Sequence, residues 1–150
     1  NSQSRDSIME EQTILTPEKL QYVLNEYKDL LLAELPGQIE RLILFGSYAR
    51  GDARAESDVD VMVIVNWPQT RLPNGFYPTY YNDPRWRKII DLATDMMLKY
   101  TIVISPKVFS LERFEDGGEP LTREVKKEGV DLWQKNQILS TPGSPERMKD

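Results

Sequence analysis

The chain has 150 residues, the length of one ordinary domain, with 39% hydrophobic residues, 29% charged residues and a net charge of −5; this balance excludes disordered and fibrous classes and argues against a broad basic surface for nonspecific nucleic-acid binding. Cysteine and histidine are both absent, which excludes disulfides, thiolate nucleophiles, imidazole metal ligands and every histidine-based triad, and leaves carboxylates, hydroxyls, amines or a hard, oxygen-bound cation to carry any chemistry. No apolar run reaches the roughly 18 residues that span a bilayer, so no membrane helix is expected.

Residues 1–8 are polar and aperiodic, and 1–15 is expected to be a disordered N-terminus or a cloning remnant, with Met9 as the native start. No charged-then-apolar leader is seen, so a cytoplasmic location is expected. Thr16-Pro17-Glu18 is a helix start, a capping hydroxyl followed by proline at the first helical position. Leu20, Leu24, Tyr27 and Leu31 recur at helical spacing, which predicts an amphipathic helix over 17–34, stopped by Pro36-Gly37. Ile39 to Phe45 is short and aliphatic and predicts a strand. Gly46-Ser47 ends it, and Tyr48-Ala49-Arg50 forms a brief helical turn. Val59 to Val65 is the clearest strand, β-branched, with Asp58 and Asp60 alternating against Val59 and Val61.

Residues 66–84 hold prolines and the aromatics Trp67, Phe76, Tyr77, Tyr80 and Tyr81, and predict an ordered excursion. Its aromatics are expected to cover one sheet edge, with base stacking or partner docking as the lesser reading. Asp83-Pro84 opens a second long helix with Trp86, Ile89 or Ile90, Ala93 and Met97 on one face. A third strand is expected from Thr101 to Ile104, extending towards Val108. Leu121 to Glu128 predicts a short helix, with Gly129 placed for a left-handed cap. Val130 to Trp133 predicts an edge strand, and 134–150 a flexible tail. The domain is therefore expected over 16–133, as an α/β (α+β) fold with a short sheet.

The stretch from Gly46 to Val63, GSYARGDARAESDVDVMV, concentrates the chemistry. Glycine allows close backbone approach to a ligand, and the Ser47 hydroxyl with the amides of the following turn can hold an anion. Arg50 and Arg54 can add positive charge. Asp58 and Asp60 stand two apart on a strand and so share a face. Adjacent carboxylates repel unless a cation lies between them, and without histidine or cysteine the natural occupant is Mg²⁺. A phosphate grip beside a carboxylate pair describes a nucleoside triphosphate site. Each element alone has an ordinary explanation, a turn or a solvated strand face. The combination Gly-Ser-x10-Asp-x-Asp arises by chance in only about 0.2% of chains of this length, which favours the site.

These residues resemble the signature of the DNA polymerase beta-like nucleotidyltransferase superfamily. Within it they are similar to the minimal nucleotidyltransferases (MNT) paired with HEPN partners in toxin–antitoxin systems. The matching positions are Gly46, Ser47, Ala49, Arg50, Gly51, Ser57, Asp58 and Asp60, and weaker similarity spans about Leu20 to Trp133. The resemblance implies a nucleotidyltransferase fold, a short mixed sheet flanked by helices. It implies Gly46, Ser47 and Arg50 as nucleotide-binding residues, and Asp58 and Asp60 as catalytic ligands of two Mg²⁺ ions. It further implies transfer of AMP from ATP to a hydroxyl, a tyrosine of a HEPN toxin, by a protein that acts as its antitoxin. Two alternatives stay open: an antitoxin that acts by binding alone, and a nucleotidyltransferase for a small-molecule hydroxyl such as an aminoglycoside. One departure bears on them. Family members commonly carry a third carboxylate on the third strand, whereas Lys99 to Ser105 holds no acid. Asp91 and Asp95 fall on the preceding helix and Glu112 beyond the strand.

Overall fold

A computed structural model of the chain describes residues 15–135. Helix α1 (Pro17–Glu34) leads into strand β1 (Ile39–Phe45), a single turn α2 (Ser47–Arg50) and strand β2 (Val59–Val65). Helix α3 (Pro84–Tyr100), strand β3 (Ile104–Ser110), the short helices α4 (Leu111–Asp116) and α5 (Pro120–Glu128), and strand β4 (Val130–Gln134) follow. The expected flexible ends, 1–15 and 134–150, fall outside the described residues apart from Leu15, Gln134 and Lys135. Leu15 packs against the main core.

Both long helices start as their sequences dictate. The Thr16 hydroxyl accepts from Lys19 N at 3.1 Å, and the Asp83 carboxylate accepts from Arg85 N at 2.8 Å, each with proline next in the chain. These side-chain acceptors satisfy amides that have no partner within the helix.

The four strands form one mixed sheet in the order β3-β2-β1-β4. β1 is antiparallel to both β2 and β4, and β2 is parallel to β3. The parallel pair requires a crossover, supplied by residues 66–83 and α3. Each face of β2 is covered. Val59, Val61, Val63 and Val65 point to α1 and α3, where Val23, Leu24, Tyr27, Leu31, Ile89 and Met96 complete the larger core. Met62 and Ile64 point the other way and pack with Ile43, Phe45, Phe109, Phe114 and Val125 under α4 and α5. The buried Tyr27 hydroxyl donates to Ile89 O at 3.0 Å and so ties α1 to α3; burial pushes its pKa up and keeps the phenol protonated.

Several expectations need correction. On α3 the buried face is Ile89, Leu92, Ala93 and Met96, the i, i+3, i+4, i+7 stripe, while Met97 is exposed. The third strand starts later than expected because Thr101 adopts a left-handed conformation (φ 60°) that caps α3, its N–H donating to Met97 O at 2.8 Å. Helix α4 was not expected, although Ser110 caps it and Gly117 closes it. In the 66–84 excursion Trp67 is buried at 2% exposure, but Phe76 and Tyr81 stand out at 72% and 65% and do not cover the sheet edge. The excursion is held by Gln69, which donates to Pro78 O at 2.6 Å and accepts from Ser110 N at 3.2 Å.

Gly129 is not left-handed (φ −69°, ψ 152°). It is required for closeness instead. A Cβ there would lie 2.5 Å from both Ile43 Cγ2 and Val125 O. Gly129→Ala is therefore expected to cost about 1–3 kcal/mol, the range for overpacking a close contact. Urea denaturation checks it; an unchanged midpoint would remove the packing argument.

Candidate active site

The site forms where β1 ends, α2 turns and β2 begins. Phe45 and Asp60 are register partners across the antiparallel pair, so the residue after Phe45 arrives beside the Asp60 side chain. That residue is Gly46, at φ 77° and ψ −156°, a conformation that side chains rarely adopt. A Cβ at Gly46 would also collide with the Asp60 carboxylate. Backbone angle and proximity both demand glycine here, and the Gly-Ser turn is pressed against the second aspartate.

From Gly46 the chain turns into α2. Ala49 N and Arg50 N both donate to Gly46 O at 3.0 Å, and Gly51 N donates to Ser47 O at 2.9 Å. The first amides of the turn, Ser47 and Tyr48, have no intrahelical acceptor by position. Gly51 closes the turn in the left-handed region (φ 87°). The segment between the two halves of the motif is fixed by reciprocal bonds: Arg54 N donates to Ser57 Oγ at 2.8 Å and Ser57 N to Arg54 O at 3.0 Å. Val59 N then donates to Val103 O at 2.9 Å, which seats the start of β2 against the segment leading into β3.

Asp58 and Asp60 project from the β2 face that carries Met62 and Ile64 further along. Asp58 is exposed and Asp60 half-buried. Burial pushes the Asp60 carboxyl up from its ordinary range; Lys107 opposes the shift, Asp58 reinforces it, Arg50 opposes it and Glu124 adds to it. Asp60 is thus held in a setting that resists negative charge, where a hard cation between it and Asp58 would relieve its desolvation and the repulsion between the two carboxylates. Oxygen donors from two side chains with a neighbouring anion grip fit Mg²⁺, which keeps few protein ligands. Among the described residues no group of three or more acidic side chains forms a metal cage.

The other sequence candidates are placed as follows. Ser47 stands beside Gly46, half-buried at the head of α2. Arg50 is turned to α5: its guanidinium meets Asp52 at 3.3 Å, Glu124 at 3.4 Å and Glu128 at 3.5 Å. Asp91 and Asp95 are exposed on α3, and Asp91 faces Arg87 at 4.0 Å. Glu112 follows the far end of β3 and accepts from Gln69 N at 3.4 Å. None of these three acids reaches the aspartate pair. On the aspartate face, β3 instead presents Ser105 and Lys107, the partners of Asp60 and Met62. Lys107 and Glu124 are the neighbours that sequence reasoning missed, because only the parallel register and the docking of α5 bring them near. A cleft of about 230 Å³, lined by Tyr48, Ser57, Asp58 and Ile102, opens beside Asp58.

Residues 24–142 match the family model described as Nucleotidyltransferase domain. The chain is a member of this family. The nucleotidyltransferase is 35% identical over 91 residues to the provisionally named protein adenylyltransferase MJ0604 of Methanocaldococcus jannaschii, covering 61% of this chain and 74% of that protein. It is 38% identical over 87 residues to a second provisionally named protein adenylyltransferase, MJ0141, of the same organism (58% and 76% covered). Among solved structures, a chain of the Shewanella oneidensis complex between a tri-AMPylated HEPN toxin and MNT antitoxin aligns with a TM-score of 0.44 at 20% identity, over 79% of this chain and 75% of that one. The described residues contain no helix long and apolar enough to cross a membrane.

Proposed function

We propose that this nucleotidyltransferase is a Mg²⁺-dependent protein adenylyltransferase that transfers AMP from ATP to a tyrosine hydroxyl of a HEPN-family toxin, and so acts as the antitoxin. The observation that carries the nucleotide reading is the seating of Gly46 against the Asp60 carboxylate, which joins an anion grip to a cation site. The protein acceptor follows the relatives named protein adenylyltransferases, and the partner class follows the sequence resemblance to minimal nucleotidyltransferases.

In this reading Gly46 and Ser47 hold the β- and γ-phosphates through the backbone and the Ser47 hydroxyl. Asp58 and Asp60 would hold Mg²⁺, two ions by resemblance, which when bound neutralises charge on the reacting and leaving phosphates. The acceptor oxygen bonds to the α-phosphorus, the bond to the bridging oxygen breaks, pyrophosphate departs with the electron pair, and the hydroxyl proton passes to water. Arg50 is assigned to bracing α2 against α5, since a phosphate contact from it would surrender its carboxylate partners.

With no acid on β3, no carboxylate stands where family members commonly carry one to act as general base, a group that typically contributes 10²–10⁴-fold. Transfer to water or free alcohols should therefore be slow. A hydroxyl held in place by a bound partner can still react, because positioning alone offsets several kcal/mol of barrier. Intact-mass spectrometry of the chain with Mg²⁺–ATP and its HEPN partner is expected to show AMP adducts on the partner, lost in Asp58→Asn. The missing base also favours a second reading, neutralisation by binding alone. In that case the partner is silenced with no mass change, and equally by the Asp58→Asn protein.

Ser47→Ala is expected to weaken ATP binding by about 1–2 kcal/mol, the scale of a hydrogen bond to a charged group. AMP binding should change much less, because AMP lacks the distal phosphates. Calorimetry with both ligands checks it, and equal losses would take Ser47 off those phosphates.

A further inference from the structure

A triphosphate adds negative charge to a site that already holds the carboxylates of Asp58 and Asp60. Protein cations must offset part of it. Arg50 is engaged by three carboxylates. Lys107 differs. None of the ion pairs among the described residues involves it, and it is exposed. It stands on β3, the strand beside Asp60, as the register partner of Met62.

The sheet explains this placement. β2 and β3 run parallel in continuous register, Asp60 against Ser105, Met62 against Lys107 and Ile64 against Phe109. Met62, Ile64 and Phe109 all bury into the smaller core, which fixes the face to which the registered pairs belong. Lys107 therefore shares the face of Asp60, one pair further along. Gly46 approaches Asp60 from the β1 side, and Lys107 from the β3 side. The two flanks of the aspartate pair are thus a backbone anion grip and an uncommitted ammonium.

We propose that Lys107 is a triphosphate-binding residue of this site, contacting a phosphate oxygen on the flank of Asp60 opposite Gly46. The proposal rests on the nucleotide reading above. The contact would use the donor capacity of an ammonium on a flexible stem, the usual way lysine binds phosphate. It would also place a positive charge on β3, the strand that carries no carboxylate.

The test is calorimetry with a non-hydrolysable ATP analogue and Mg²⁺, and with adenosine, on three variants. Lys107→Met keeps the aliphatic stem and is expected to weaken analogue affinity about tenfold, the lower end for a charge-assisted hydrogen bond, with adenosine affinity unchanged. Lys107→Arg is expected to restore most of that affinity. Unchanged analogue affinity in Lys107→Met, or an equal loss of adenosine and analogue, overturns the proposal. Asp58→Asn/Asp60→Asn separates the two claims. If it abolishes analogue binding while Lys107→Met does not, the site stands and Lys107 is only a solvated lysine. If the double variant binds the analogue normally, the nucleotide reading falls and Lys107 falls with it.

Discussion

Asp58→Asn combined with Asp60→Asn is expected to abolish Mg²⁺-dependent ATP binding and to lower AMP transfer by on the order of 10³-fold or more, the scale of several kcal/mol of charge stabilisation. The fold should survive. Asparagine is nearly isosteric with aspartate, and the substitution removes two like charges, one of them half-buried. The sign of the stability change follows from Asp60. Its folded-state pKa is pushed up, first by burial, so folding favours the protonated form. Any stabilisation from that carboxyl is present at acid pH and lost as pH rises through its folded-state value. At neutral pH the ionised group opposes folding, and the double variant should melt no lower than the parent. Thermal unfolding at neutral pH, beside calorimetry with Mg²⁺–ATP, checks both halves. A variant that binds ATP normally, or one that unfolds well below the parent, contradicts the assignment of these carboxylates as ligands rather than fold determinants.

Trp67→Ala carries the largest expected effect on stability, about 3–5 kcal/mol, as for other buried aromatic truncations. The indole fills the core at the point where β2 ends and the long excursion leaves the sheet. Its N–H donates to Gln38 Oε1 at 2.8 Å, Tyr80 packs edge-on at 5.0 Å, and the Arg85 guanidinium lies 4.2 Å from the ring centroid. Removing it leaves a void, and the Tyr80 hydroxyl, which donates to Trp67 O at 3.2 Å, loses a packed neighbour. Urea denaturation should show the loss. Limited proteolysis should show new cleavage within 66–83. A variant as stable as the parent would mean that Gln69 alone holds the excursion.

Much of the site was legible because its parts are close in sequence. Gly46, Ser47, Asp58 and Asp60 lie within one strand–turn–strand unit, and the period-2 pattern of Val59 to Val65 puts both aspartates on one face without knowledge of the rest. Lys107 and Glu124 were not legible. They meet the site through the parallel β2–β3 register and the docking of α5, which no local pattern encodes. The same contrast runs through the fold. Helix α1 and strands β1 and β2 match their expected bounds, since caps and apolar spacing decide them. Thr101 defeated the reading of the third strand because a β-branched residue at positive φ is set by the closure of α3, not by propensity. Gly129 had the expected residue for an unexpected reason: crowding by Ile43 rather than a left-handed cap. Phe76 and Tyr81 show that an aromatic-rich segment is not automatically core, because the excursion is held by buried Trp67 and Gln69 and by the bonds of Arg71 and Tyr77 to Asp116.

The position of β3 at the rim of the sheet has a consequence for self-association. A bare strand rim offers a row of donors and acceptors to another chain, which is how sheets template aggregates. Here one donor is missing outright, since Pro106 has no N–H, and another, Ser110 N, is taken by the Gln69 side chain. The opposite rim, β4, is only five residues long and carries Asp131, ion-paired to Arg41 at 2.7 Å. Both borders are therefore poor templates for strand addition, and a second polypeptide that engages this protein must do so through side chains and loops rather than by extending the sheet.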